Sequence, residues 1–162
     1  MSSLQLNISS LAKKTVSECL EKNVTFGTAE SCTGGLISAS VTDVAGASAV
    51  FFGGIVSYDN SIKEKLLGVP AQTLAEKGAV SPETARAMSV GARRALGVDY
   101  AVAVTGFAGP GGDSVGLVYV SVASENGVTV TENHFLGDRE AVRLQTVEKA
   151  LTLLTEAVQS RR

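Results

Sequence analysis

The sequence predicts a single α/β domain over residues 1–162, in which helices cover both faces of a mixed, mainly parallel sheet that ends in an antiparallel hairpin. The first observation is the length, because 162 residues suffice for one hydrophobic core without cross-links. The second is the alternation of helical and strand-like patterns along most of the chain, which is typical of a three-layer α/β/α domain. The third is Asn126-Gly127, a hairpin-turn signal between two strand-like segments.

The first half of the chain predicts three helices and two strands. Apolar residues at helical spacing mark the helices, and short apolar runs mark the strands. These elements are expected as a helix behind a Ser9 or Ser10 cap, a strand at residues 24–29, a helix at 36–41, a strand at 53–58, and a helix that Asn60 caps and that ends at Leu67.

The second half predicts two longer helices and three strands. Ser81-Pro82 is a strong helix start, and Gly97 marks the end of that helix. Residues 100–105 are apolar throughout and predict a strand that is buried on both faces. The remaining elements are expected as strands at residues 116–123 and 128–135, followed by a terminal helix that Asp138 caps.

The charge pattern argues against a nucleic-acid or membrane surface. The formal net charge is −2, with acidic and basic residues interspersed, whereas phosphate backbones usually require a sustained basic field. Arg86, Arg93 and Arg94 on one predicted helix are interpreted as a solvated face rather than a DNA-binding patch. No segment is apolar enough for a signal peptide or a membrane span, so a cytoplasmic location is expected.

The cysteines and carboxylates predict neither a metal site nor a redox site. Cys19 and Cys32 match no metal-binding or redox spacing and are expected to be free thiols in a reducing compartment. No group of histidine, cysteine and carboxylate residues has the spacing of metal ligands. We therefore expect no metal and no cofactor.

Two glycine-containing loops follow predicted strands, at residues 30–35 and 105–112. In open α/β sheets, ligands bind beyond the carboxyl ends of the strands, where such loops let backbone N–H groups approach an anion. Neither loop fits the Walker or the dinucleotide-binding pattern. Spacing alone therefore favours structural turns slightly over phosphate-binding loops.

The candidate nucleophiles are hydroxyl groups and the thiol of Cys32. His134, the only histidine, lies in an exposed-looking hairpin strand and is a poor base for a Ser-His-Asp triad. Ser48 lies among small residues just before the second strand, and Ser31 lies in the first glycine loop. The residues alone do not rank these two hydroxyls.

Lys63 is the candidate general base, since a neutral lysine can activate a serine. Taken alone, however, the motif favours a solvated lysine on a short helix. Lys63 falls in the first turn of a predicted helix, where the helix dipole disfavours a positive charge. It also shares a helix face with Leu66 and Leu67, so its stem can pack inward. We therefore expect its pKa to be depressed.

Five segments stand in order along the chain: residues 28–35 (Thr-Ala-Glu-Ser-Cys-Thr-Gly-Gly), 45–48 (Ala-Gly-Ala-Ser), 58–63 (Tyr-Asp-Asn-Ser-Ile-Lys), 78–81 (Gly-Ala-Val-Ser) and 105–110 (Thr-Gly-Phe-Ala-Gly-Pro). Together with residues 137–143, they make the chain resemble the CinA C-terminal domain family, in its stand-alone form, over essentially the whole length. Members of this family are the nicotinamide-nucleotide amidases.

The resemblance implies hydrolysis of nicotinamide mononucleotide to nicotinate mononucleotide and ammonia, within pyridine-nucleotide recycling, by a serine and lysine mechanism without a cofactor. By position it assigns Ser48 as the nucleophile, Lys63 as the base and Tyr58 as a supporting hydrogen-bond partner. It further implies a substrate pocket lined by Ser31, Thr33, Gly34, Thr105, Gly106 and Gly109, with Arg139 or Arg143 holding the phosphate.

Two alternatives belong to other functional classes. A non-catalytic nucleotide-binding module would bind the same ligand without releasing ammonia. A competence or DNA-damage-associated interaction protein would need a basic patch formed by folding. Residues 111–116 are shorter than the lysine-containing loop that many relatives carry there, which leaves the substrate preference open, and the sequence leaves a homo-oligomer open as well.

Overall fold

The computed structural model describes residues 1–161. The helices are α1 (Ser3–Lys22), α2 (Leu36–Thr42), α3 (Asn60–Leu67), α4 (Ala71–Lys77), α5 (Pro82–Leu96) and α6 (Arg139–Gln159), and the strands are β1 (Phe26–Glu30), β2 (Phe51–Val56), β3 (Tyr100–Gly106), β4 (Leu117–Ser124) and β5 (Gly127–His134). The strands form one sheet in the order β2-β1-β3-β4-β5. Strands β2, β1 and β3 are parallel, while β4 and β5 pair antiparallel. The predicted mixed sheet with a terminal hairpin is confirmed.

Two apolar layers flank the sheet and confirm the α/β/α architecture. Helices α1, α2 and α6 bury their apolar faces on one side, and α3, α4 and α5 lie against the other. Strand β3 contributes to both layers, with Val102 and Val104 facing the first and Ala101 and Ala103 facing the second. All four side chains are fully buried, as the apolar run predicts for a central strand.

Close contact between α3 and α5 depends on a glycine. A Cβ built on Gly91 would lie 1.7 Å from the carbonyl oxygen of Leu67, the last residue of α3. Any side chain at position 91 would push the two helices apart, because this neighbour is backbone and cannot rotate away. The glycine therefore allows α3 to pack closely against α5.

The helix caps agree with the sequence at two helices and differ at two others. Ser81 and Asp138 cap α5 and α6 as predicted, through side-chain oxygens that accept backbone N–H groups. The cap of α1 is Ser2, not Ser9 or Ser10. The cap of α3 is Asp59, whose carboxylate accepts the backbone N–H of Ser61 at 2.9 Å, so Asn60 is the first helical residue. Helix α4 is not predicted from the sequence. None of its residues is buried, so it has no clear apolar face that a sequence pattern could show.

The carboxyl ends of β1, β2 and β3 meet at one edge of the sheet. The segments after them are residues 31–35, residues 57–59 and the loop that joins β3 to β4. This is the edge at which open α/β sheets bind ligands. None of the helices between residues 1 and 161 combines the length and the hydropathy that a membrane span requires.

Candidate active site

A buried serine–lysine pair lies at this edge. Ser31 directly follows β1, and Lys63 lies in α3, the helix after the neighbouring strand β2. The Lys63 Nζ donates to Ser31 Oγ at 3.2 Å and to the backbone carbonyl of Tyr58 at 2.9 Å. Ser31 is 8% exposed and Lys63 is 1% exposed. The two groups are thus in hydrogen-bond contact and largely buried.

The surroundings of Lys63 favour the neutral amine. Burial lowers the pKa of Lys63 from its ordinary value, and the opposing effects of Asp59 and Cys32 are smaller. Among residues 1–161, no carboxylate lies within ion-pair distance of its Nζ. A charged lysine ammonium carries three N–H donors. Within the described residues, only two acceptors lie within hydrogen-bond distance of Lys63 Nζ, so one N–H of the charged form has no partner. The predicted direction of the pKa shift is confirmed.

Fewer residues of α3 are buried than the sequence indicates. Leu67 is buried next to α5, but Leu66 is 49% exposed. The expectation that Leu66 and Leu67 both pack beside Lys63 is therefore correct only for Leu67. Enclosure by the strand-end loops, rather than a leucine pair, accounts for the burial of the lysine.

Glu30, the last residue of β1, holds the loop that carries Ser31. Its carboxylate is fully buried and accepts five hydrogen bonds. The donors are Thr33 Oγ1, Gly35 N, Ile37 N, Ser38 N and Ser38 Oγ. Gly35 stands at the N-cap position of α2 and has no side chain to cap it, so Glu30 supplies that function. This role of Glu30 is not among those predicted from the sequence, although an acidic residue before a glycine loop and a helix is a visible signal.

Arg143 of α6 holds the same loop from the other side. Its Nε donates to the carbonyl of Cys32 at 3.0 Å, and its Nη2 donates to the carbonyl of Thr33 at 3.0 Å. Residues 31–34 are therefore fixed between a buried carboxylate and a guanidinium. The side chain of Thr33 is buried and donates to Glu30, so it shapes the loop and does not face the pocket.

A pocket of about 200 Å³ opens over Ser31 and Lys63. Both polar and apolar residues line it. The lining residues are Ser31, Cys32, Tyr58, Lys63, Ala79, Val80, Thr105, Gly106, Phe107, Ala108 and Arg139. Cavities of about 450 and 280 Å³ lie elsewhere, but Lys63 is the only lysine buried within the described residues.

Arg139 bridges the two sides of the pocket mouth. It is exposed at the start of α6, where one Nη donates to the carbonyl of Gly109 and the other lies 3.4 Å from the Tyr58 hydroxyl. Tyr58 itself is 61% exposed. Thr105 is buried, and its hydroxyl donates to the carbonyl of Ala79 at 2.7 Å, so it orients the pocket wall.

All but one of the predicted site residues fall into two groups. Ser31, Tyr58, Lys63, Thr105, Gly106 and Arg139 line the pocket, and Gly109 contacts its mouth through Arg139. Thr33, Gly34 and Arg143 belong to the supporting loop and its clamp instead. Ser48 lies in neither group.

The structure does not bring Ser48 to Lys63, which corrects the assignment of Ser48 as the nucleophile. Ser48 is exposed in a 3-10 turn (Ala47–Ala49) directly before β2, beside a separate hollow formed with Thr42, Val44 and Phe51. This is the amino end of the strand, whereas Lys63 follows its carboxyl end. The neighbouring strand β1 has five residues, so roughly 16 Å of strand separates the two edges.

Other nucleophiles and bases are less suited to the site. Burial raises the pKa of Cys32 to about 11, so it is a thiol at neutral pH although it lines the pocket. Cys19 is also free and buried, as predicted. His134 is exposed in β5 and contacts Glu132 at 3.1 Å. Within residues 1–161, no group of three histidine, cysteine or carboxylate residues could hold a metal ion.

The comparison with known families agrees with the motifs. Residues 8–158 match the model of the CinA C-terminal domain. A CinA-like protein of Geobacter sulfurreducens is 54% identical over 138 residues, which are 83% of this chain and 33% of that protein. The chain thus spans about a third of the length of this curated relative.

Solved structures show the same fold at high similarity. A competence/damage inducible protein from Agrobacterium tumefaciens matches with a TM-score of 0.91 and 41% identity, over 95% of this chain and 96% of that one. A CinA superfamily protein from Klebsiella pneumoniae matches with a TM-score of 0.92 and 31% identity, over 95% of this chain and 99% of that one. The chain belongs to the CinA C-terminal domain family.

Proposed function

We propose that the protein is an amidohydrolase that converts nicotinamide mononucleotide to nicotinate mononucleotide and ammonia, with Ser31 as the nucleophile and Lys63 as the general base. The observation that carries the proposal is the 3.2 Å contact between Lys63 Nζ and Ser31 Oγ, two buried side chains that line an open pocket. A serine needs a nearby base to become a nucleophile, and a lysine with a lowered pKa can serve as that base. The choice of substrate follows the resemblance of the motifs.

The reaction proceeds by acyl transfer. Neutral Lys63 takes the proton of Ser31 as Oγ attacks the carboxamide carbon, and the resulting ammonium returns a proton to the departing nitrogen, which leaves as ammonia. The ester that remains on Ser31 is then attacked by water, which Lys63 deprotonates. The C–O bond of the ester breaks, Ser31 regains its proton, and nicotinate mononucleotide departs.

Backbone N–H groups next to Ser31 are suited to stabilise the oxyanion. Within the described residues, the N–H groups of Cys32 and Thr33 donate to no protein atom. The N–H of the residue after a nucleophile is a recurrent oxyanion-hole donor. Each such donor contributes a factor of about 10² to 10³ to the rate of acyl transfer.

The pocket suits a flat ring that carries an anionic group. Val80, Phe107 and Ala108 provide apolar walls near the dyad, and Arg139 stands at the mouth. An arginine presents a planar fork of donors that matches phosphate. A ring held between the walls would place its carboxamide at Ser31 and its phosphate toward Arg139.

The alternatives have less support. A non-catalytic nucleotide-binding module does not require a buried lysine without a carboxylate partner. A DNA-associated interaction protein would need free arginines on α5, but Arg93 donates through Nε to the carbonyl of Asp99 at 3.0 Å. The formal net charge of −2 also disfavours a polyanionic partner.

Ammonia release tests the proposal. The purified protein is incubated with nicotinamide mononucleotide in chelator-treated buffer, and ammonia and nicotinate mononucleotide are quantified together. We expect stoichiometric formation of both products, with no dependence on added zinc. Binding of the mononucleotide without product formation would favour the non-catalytic module, and activity that appears only with zinc would refute the dyad mechanism.

A further inference from the structure

We infer that Arg143 is a positioning residue for the nucleophile loop and not a ligand for the substrate phosphate. The inference rests on the proposed role of Ser31. Arg143 lies in α6, 111 residues along the chain from Cys32, whose carbonyl it contacts. It therefore connects a distant helix to the Cys32–Thr33 and Thr33–Gly34 peptide units, which lie just after the nucleophile.

The loop engages two of the five N–H donors of Arg143. Its Nε and Nη2 each donate at 3.0 Å to adjacent carbonyls, those of Cys32 and Thr33. A planar guanidinium that spans two consecutive carbonyls fixes the orientation of both peptide planes. Gly34 has a φ of +59°, and a Cβ at this position would lie 3.7 Å from the same Nη2, so the loop closes around the arginine.

The position of Arg143 differs from that of Arg139. Arg139 is exposed and lines the pocket, whereas Arg143 is half-buried and does not line it. A phosphate at the pocket mouth could replace the weak 3.4 Å contact of Arg139 with the Tyr58 hydroxyl. Arg143 instead holds two loop carbonyls through Nε and Nη2 and does not line the pocket in which the phosphate would lie.

The contacts of Arg143 also act on the donors beside Ser31. The Cys32 carbonyl and the Thr33 N–H belong to one peptide unit, so a cationic donor on the carbonyl polarises the N–H. Within residues 1–161, the Thr33 N–H donates to no protein atom. The Thr33 carbonyl shares a peptide with the Gly34 N–H, which donates to the Ser31 carbonyl at 3.1 Å. Arg143 therefore orders the turn that contains Ser31.

The test compares Arg143→Met with Arg143→Lys and with Arg86→Met, which removes an exposed arginine of α5. Two readouts are measured. The first is kcat and KM for nicotinamide mononucleotide and for its riboside. The second is the rate at which a neutral fluorophosphonate ester labels Ser31, followed by intact mass. In that step Ser31 Oγ forms a bond to phosphorus, the P–F bond breaks, fluoride leaves, and Lys63 takes the serine proton.

Arg143→Met should lower kcat and the labelling rate together by about tenfold or more, while KM changes less than about twofold. Because the probe carries no ionised phosphate, its rate reports the loop and not phosphate binding. Arg143→Lys should be intermediate, and added guanidinium should restore part of the labelling rate of Arg143→Met. Arg86→Met should match the wild type in both readouts.

The outcomes separate the inference from the proposed function. An unchanged labelling rate in Arg143→Met, with a raised KM for the mononucleotide alone, would overturn the inference and make Arg143 a phosphate ligand. Slower labelling in a protein whose wild type releases no ammonia from the mononucleotide would support the inference and refute the proposed function. If Arg143→Met does not fold, the labelling rate of Arg143→Lys tests the inference instead. A rate below that of the wild type would support the inference, and an unchanged rate would overturn it. Absence of wild-type labelling at Ser31 would overturn the inference, while ammonia release from the mononucleotide would still decide the proposed function.

Discussion

The loops that carry Ser31 and Ser48 are alike in sequence and different in chemistry. Both contain glycine and small residues, and both adjoin parallel strands of the same sheet. Ser31 is buried in contact with Lys63, whereas Ser48 is exposed and has no lysine in its hollow. The difference arises from strand direction. Ser31 follows the carboxyl end of β1, and Ser48 precedes the amino end of β2.

Strand direction thus shows which of the two serine hydroxyls can reach Lys63, which the composition of the two loops cannot show. In a parallel sheet, the residue after one strand lies near the residues after its neighbour. Lys63 follows β2, so it can meet a group that follows β1. A residue that precedes β2 lies at the opposite edge, roughly 16 Å away along the five residues of the adjacent strand.

Removing the two hydroxyls separately is the largest test of this comparison. Ser31→Ala should lower kcat for nicotinamide mononucleotide by at least ~10³-fold, because the acyl-enzyme can no longer form. Ser48→Ala should remain within about twofold of the wild type, since an exposed turn serine touches no reacting group. Steady-state ammonia release measures both. A silent Ser31→Ala beside an inactive Ser48→Ala would reverse the assignment.

The substitution Lys63→Met should lower kcat for nicotinamide mononucleotide by about 10² to 10⁴-fold, nearly as much as Ser31→Ala. It keeps the apolar stem of the side chain but removes the amine that acts as the base. Lys65→Met, which alters an exposed lysine of the same helix, is the matched control and should be silent. Wild-type activity should rise with pH through the lowered pKa of Lys63, since only the neutral amine accepts the serine proton. A kcat that is independent of pH while chemistry limits the rate would argue against Lys63 as the base.

The sequence predicts elements better than it predicts contacts across the fold. The strands, the hairpin and the caps Ser81 and Asp138 follow from local patterns, and so does the lowered pKa of Lys63. The order of the strands would also have favoured Ser31 over Ser48, had their direction been applied to the two loops. The clamp by Arg143 could not be predicted, because it joins residues 111 positions apart.

The mouth above Ser31 carries an arginine, whereas no charged residue lines the hollow at Ser48. Arg139→Met should raise KM for the mononucleotide and lower kcat/KM by about tenfold to a hundredfold, the effect of losing one hydrogen bond to a charged group. Turnover of the riboside, which has no phosphate, should change little, so the variant should discriminate less between the two. Equal losses for both substrates would show that Arg139 supports the pocket and does not bind phosphate.

The smallest effect concerns stability. The pKa of Lys63 is below 10.5 in the folded protein and returns to that value on unfolding. At pH values below the lowered pKa both states are protonated, and the folded state bears the full cost of a buried charge. Between the lowered pKa and 10.5 the unfolded state binds more protons, so the free energy of unfolding rises with pH. Lys63→Met lacks this dependence.

Urea denaturation at several pH values therefore compares the wild type with Lys63→Met. Lys63→Met also loses the hydrogen bond to the Tyr58 carbonyl, which changes its free energy of unfolding by an amount that does not vary with pH. The test is therefore the slope of the stability difference against pH and not its size. The stability of the wild type relative to the variant should increase as the pH rises through this window. Lys65→Met, an exposed control, should run parallel to the wild type. A constant difference between the wild type and Lys63→Met would mean that Lys63 has the same pKa in the folded and unfolded states, and Ser31 would then have no neutral lysine beside it at neutral pH.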